Sequence, residues 1–125
     1  MNGKRILLIE DEKEISGLLN SRLAAQGYEM DTLEDGGLAL NRIQEILPDL
    51  IILDLWLPHL SGEEICKAVR ESMDERIAKI PILILSAKKS EADQIVGRML
   101  GANHYFTKPA DANQLLVQIR KILDN

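Results

Sequence analysis

Apolar residues recur along this chain in five short clusters, and between the clusters their spacing changes to that of a helix. "KRILLIE" (4–10) is a continuous apolar run with polar ends, the pattern of a strand buried on both faces. Ile15, Leu18, Leu19 and Leu23 follow at helical spacing, with Gly27 as the stop. "YEMDTL" (28–33) alternates and predicts a second strand. Asp35 is placed to cap a helix carrying Leu38, Ile43, Ile46 and Leu47, ended by Pro48. "DLIILD" (49–54) is a third strand. The loop "LPHLSGEE" (57–64) ends in a capping box, Ser61 with Glu64, for a helix carrying Ile65, Val69 and Met73. Pro81 opens "ILIL", a fourth strand ending at Ser86. Ser90 with Asp93 starts a helix that Gly101 closes, and "HYFTKP" (104–109) is a short fifth strand. Asp111 caps a last helix carrying Leu115, Leu116, Ile119 and Ile122.

Strand and helix thus alternate five times. Continuous apolar strands joined by amphipathic helices predict an α/β fold with a parallel sheet covered on both faces. Right-handed crossovers then favour a doubly wound sheet with five helices. The 125 residues contain no linker or repeat and are expected to form one domain, 1–125. Such sheets bind ligands outside the carboxyl ends of their strands, which confines the search for chemistry to the strand tips.

Those tips carry Glu10 and Asp11, then Asp54, then Ser86, then Thr107, Lys108 and Pro109. The second strand ends near Leu33 and Glu34 with no evident chemistry. Carboxylates converging on one rim repel each other, so either one takes up a proton or a cation enters. An all-oxygen set suits Mg2+, with Mn2+ as the alternative, and not zinc. A metal, an ammonium (Lys108) and a hydroxyl (Ser86) around one aspartate make a holder for a phosphoryl group, and a carboxylate can itself be the nucleophile. Asp54 stands alone at its strand tip and is the expected phosphoacceptor, with Glu10 and Asp11 holding the metal.

Composition narrows the partners. The net charge of −5 argues against the basic stripe that direct nucleic-acid binding by this chain would need. No apolar run approaches a membrane span, and the N-terminal run is too short for a signal peptide. The single cysteine, Cys66, makes no internal disulfide, which suggests a reducing compartment and a cytoplasmic location. The chain stops at "KILDN" directly after its last helix and is read as either a stand-alone unit or part of a longer regulator.

Glu10–Asp11 after "RILLI", Asp54 in "DLIILDLWLP", Gly62, Ser86 in "PILILSA" and Tyr105–Pro109 in "YFTKP" occur in order at spacings that resemble the receiver domain of two-component response regulators. The resemblance covers essentially the whole chain. It implies a flavodoxin-like sheet of order 2-1-3-4-5 and phosphotransfer from a histidine kinase, or a phosphotransfer protein, to Asp54. It also implies Mg2+ held by Glu10, Asp11, Asp54 and the main-chain carbonyl of Trp56. Ser86 and Lys108 would contact the phosphoryl group. Ser86 and Tyr105 would form the switch, changing the face of the fourth helix, fifth strand and fifth helix toward an output partner, a fused output domain or a phosphorylation-dependent homodimer. No organic cofactor is implied, and the Lys108–Pro109 peptide is expected to be cis.

The chain departs from the family pattern at several points. Trp56 and Lys88 occupy two positions that tune hydrolysis. A bulky ring at Trp56 predicts a long-lived phosphoryl group, while Lys88 could either hold the phosphate or orient water. Asn103 and His104 replace a usual acidic pair, which argues against a salt-bridged dimer, and Ala110 replaces a common Phe. Taken singly, these residues have plain readings: Ser86 as a helix cap, Tyr105 as packing, Trp56 as an exposed apolar residue, His59 and His104 as surface groups, Cys66 as helix packing. Three rival functions fit the residues less well. A phosphatase or mutase would want a second acid at position 56. A flavin or nucleotide site would want a Gly-rich loop where "EDEKE" stands. A receiver that works without phosphate would not need the acid–Ser–Lys set.

Overall fold

The protein is described over residues 3–87 and 90–124 from a computed structural model. Five strands, β1 (Arg5–Ile9), β2 (Glu29–Leu33), β3 (Leu50–Leu53), β4 (Ile82–Ser86) and β5 (His104–Thr107), form one parallel sheet of order β2-β1-β3-β4-β5. Five helices cover it: α1 (Lys13–Ala25), α2 (Ala39–Ile46), α3 (Gly62–Arg70), α4 (Glu91–Met99) and α5 (Ala112–Leu123). A 3-10 turn (Gly36–Leu38) precedes α2, and a single α-helical turn (Glu75–Ala78) follows α3.

Side-chain alternation along the strands divides the core in two. Leu7, Ile9, Ile51, Leu53, Ile82 and Ile84 face α2 and α3 through Ile43, Ile65 and Val69. Ile6, Leu8, Leu50, Ile52, Leu83 and Leu85 face α1 and α5 through Leu19, Leu23, Leu115 and Ile119. Because both faces are dry, the strands read as unbroken apolar runs. The helix starts follow the caps in the sequence. Ser61 and Glu64 form a reciprocal capping box, Ser90 accepts from the Asp93 N–H, and Asp111 accepts from Asn113 and Gln114.

Three expected core positions lie outside it. Leu18 and Leu38 are more than half exposed, because α1 faces the sheet through Leu19 and Leu23, and because α2 begins only at Ala39. Met73 is fully exposed because α3 already stops at Arg70. The turn at Glu75–Ala78, which periodicity did not reveal, is started by the Asp74 side chain accepting from the Arg76 N–H.

Register sets the strand tips level. Ile9 lies opposite both Leu33 and Leu53, and Ser86 lies opposite Thr107. The next residue continues the ladder at three places: Glu10 N–H donates to the Leu33 carbonyl (2.9 Å), Asp54 N–H to Ile9 (3.1 Å) and Lys108 N–H to Ser86 (2.8 Å). The sheet therefore delivers Glu10, Asp54 and Lys108 to one rim with backbone precision.

Candidate functional site

Tyrosine aside, the buried polar and charged side chains among the described residues are Glu10, Asp54, Ser86 and Lys108. All four stand at carboxyl ends of strands. The Lys108 Nζ lies 2.9 Å from Glu10 Oε1, 2.8 Å from Glu12 Oε1 and 3.0 Å from Asp54 Oδ2. Burying these charges is tolerable only because they pair. Burial would lower the Lys108 pKa, but its hydrogen bonds to Glu12, Glu10 and Asp54 outweigh that and hold the ammonium above its ordinary value. Burial pushes the Glu10 carboxyl up, against the opposing pull of Lys108.

Oxygens of Glu10, Glu12 and Asp54 all lie within 4.8 Å of one another. Three carboxylates against one ammonium leave two negative charges uncompensated, the charge a single divalent ion carries. The buried oxygens of this group, those of Glu10 and Asp54, are donors of the kind a hard ion of that charge takes.

Lys108 sits among the acids, in contact with all three. Asp11 is exposed and outside this group of three, which Glu12 completes through its contact with Lys108. The chain bends at Asp11, and this brings the Glu10 and Glu12 carboxylates to one side. The Glu12 N–H donates to Glu10 Oε2 (3.0 Å) and fixes this turn. That two-residue spacing was the available signal for Glu12.

Around Asp54 the backbone is tightly packed. The Trp56 N–H donates to Asp54 Oδ1 (3.2 Å), while the Trp56 side chain is 59% exposed. A Cβ at Gly62 would lie 2.2 Å from the Asp54 carbonyl oxygen and 2.7 Å from Leu53 Cδ1, so only glycine lets α3 start this close to the strand tip. The peptide between Lys108 and Pro109 is cis.

Ser86 and Tyr105 stand on adjacent strands, two positions apart, and their side chains interact. Burial raises the Tyr105 pKa, the interaction with Ser86 opposes this, and the charges of Asp93, Asp54 and Glu63 add to the rise. The ring is half-buried beneath α4, where a Cβ on Gly97 would be 3.0 Å from Tyr105 Cδ2. Lys88 lies outside the described residues. His59 pairs with Asp35 (2.7 Å), joining the loops after β2 and β3, and the His104 ring nitrogen contacts the Gln118 amide (3.3 Å). Cys66 is buried and its thiol is pushed up to about 11 by burial, consistent with packing.

The family model of the response regulator receiver domain matches residues 6–120. The chain belongs to that family. This receiver domain is 40% identical over 120 residues to the alkaline phosphatase synthesis transcriptional regulatory protein PhoP of Bacillus subtilis, covering 96% of this chain and 48% of that protein. It is 38% identical to the phosphate regulon transcriptional regulatory protein PhoB of Rhizobium meliloti, covering 95% of this chain and 52% of the relative. The chain thus spans about half the length of these curated relatives. Among solved structures, a response regulator from Chloroflexus aurantiacus superposes with a TM-score of 0.90 at 32% identity, covering 99% of this chain and 100% of the other. The Mn(2+)-bound form of response regulator Rcp1 superposes at 0.79 and 32% identity, over 95% and 91%. The receiver domain is thereby a signalling module of two-component systems. Among its described residues, no helix is long and apolar enough to cross a membrane.

Proposed function

We propose that this receiver domain, one domain over residues 1–125, accepts a phosphoryl group on Asp54 from a histidine kinase or a phosphotransfer protein. The observation that carries the reading is the concentration of buried polar side chains, Glu10, Asp54, Ser86 and Lys108, on one rim of an otherwise apolar sheet. An Asp54 oxygen attacks phosphorus as the bond from phosphorus to the donor's imidazole nitrogen breaks. The imidazole leaves with the bonding pair, and an acyl phosphate remains. Hydrolysis later returns the carboxylate, so the domain modifies itself and turns over no external substrate.

Glu10, Asp11, Asp54 and the Trp56 carbonyl would hold Mg2+, or Mn2+ in its place. The ion, when bound, neutralises oxygens of the transferred group. Lys108 supplies a fixed positive charge beside Asp54, and Ser86 offers a hydroxyl to a phosphoryl oxygen. The closeness of Ser86 and Tyr105 on adjacent strands gives the switch a direct route: a Ser86 drawn toward phosphate moves away from Tyr105, and the face made by α4, β5 and α5 changes. That face would control an output partner, a fused output domain in the whole protein, or a homodimer of phosphorylated domains. The exposed Trp56 ring and Lys88 would set how long the phosphoryl group survives. A lone buried cysteine is consistent with action in the cytoplasm.

The test is intact mass after incubation with Mg2+ and acetyl phosphate. Wild type should gain one phosphate and Asp54→Asn none. Equal labelling of both would show the acceptor to be elsewhere.

A further inference from the structure

An ammonium carries three N–H groups, and Lys108 has one carboxylate partner for each: Glu10, Asp54 and Glu12. A phosphoryl group on Asp54 can bond to Lys108 only if one partner lets go. The three differ in what release would cost. The Glu10 and Asp54 side chains are 1% and 6% exposed, so releasing either strands a carboxylate away from water. The Glu12 side chain is 59% exposed and returns to solvent. It stands at the N-cap of α1 yet makes no capping bond there, so its release leaves the helix start intact.

We propose that Glu12 is a positioning residue whose carboxylate keeps, on Lys108, the place a phosphoryl oxygen takes. Before phosphorylation it completes the ammonium's hydrogen bonds and holds it against Asp54. During phosphorylation one anionic oxygen replaces another on Lys108, and Glu12 swings out. Glu12 therefore competes with the incoming group, and it is set against the phosphorylated state without being a metal ligand. This inference rests on Asp54 being the phosphoacceptor.

The experiment compares wild type with Glu12→Ala and Glu12→Asp. Alanine removes the competitor. Aspartate keeps the charge but withdraws it by about one methylene, out of hydrogen-bond range of Lys108. Both should take phosphate from acetyl phosphate faster than wild type, by about 2- to 5-fold for one partly exposed charged contact. Beryllofluoride with Mg2+, a phosphoryl mimic read by Trp56 fluorescence, should bind both variants more tightly by a similar factor. Dephosphorylation rates should stay at the wild-type value, because Glu12 has already left in the phosphorylated state. Mg2+ affinity without phosphodonor should change by less than about twofold, since no metal–ligand bond is lost.

An Asp variant that behaves like wild type would reduce Glu12 to a distant field effect and overturn the proposal. So would a large loss of Mg2+ affinity, which would make Glu12 a ligand, or unchanged phosphorylation rates in both variants. If wild type itself takes no phosphate at Asp54, the functional reading fails and this inference with it. If wild type is labelled and the variants match it, this inference fails alone.

Discussion

Lys108 shows how one side chain serves folding and function together. Its ammonium is the cation that lets Glu10 and Asp54 be buried at the rim. Replacing it by methionine keeps the volume and strands both acids. Removing one partner of a buried pair costs roughly 3–5 kcal/mol. Lys108→Met should therefore lower urea stability by about 3 kcal/mol without divalent ions, regain part of this with Mg2+, and lose phosphate uptake from acetyl phosphate. Stability equal to wild type in Mg2+-free buffer would mean that the acids are held by something else. At this scale the sequence was informative where a charge interrupts or ends an apolar run, as at Glu10, Asp54 and Lys108. Glu12 escaped because it lies in a charged stretch, where no hydrophobic contrast marks it, and its role depends on how the chain turns after β1.

The pairing of α4 with β5 carries the functional coupling between elements. Tyr105 projects from β5, neighbours Ser86 at the tip of β4, and rests against Gly97 of α4. A methyl at Gly97 would meet the ring at 3.0 Å and Ile84 Cδ1 at 3.1 Å. Gly97→Ala gains about 1 kcal/mol of helix propensity and loses a comparable amount to crowding. The expected result is near-wild-type stability and phosphate uptake, with altered Tyr105 ring signals in NMR and a smaller spectral change in α4 on phosphorylation. A wild-type α4 response would mean that the ring is not what couples β4 to α4. Such contacts were not legible in the sequence. Periodicity located the strands and main helices, and caps such as Ser61 and Asp111 fixed their starts. It misplaced Leu18, Leu38 and Met73, because a helix end or a one-residue rotation about the helix axis decides exposure and the apolar count does not.

Across the whole molecule, the parallel sheet gathers negative charge at one edge and leaves it two charges short of balance. Stability should then depend jointly on pH and on divalent ions. Glu10 has its carboxyl raised from the ordinary 4.5, first by burial. Within the window between 4.5 and that raised value, the folded state holds more protons than the unfolded one. The metal-free protein should therefore lose stability as pH rises through the window. Ion binding needs the same carboxylates ionised, so the increment from Mg2+ must grow with pH across it. At about ten times its Kd, Mg2+ should add about 1.4 kcal/mol, or some 4–6 °C in Tm for a domain of this size. The measurement is thermal melting from pH 4.5 to 7, with EDTA or with Mg2+. Glu10→Gln should flatten the metal-free slope and shrink the Mg2+ increment. An increment that is constant over this range would put the ion away from Glu10, and the charge imbalance at the rim would then need a different counter-charge.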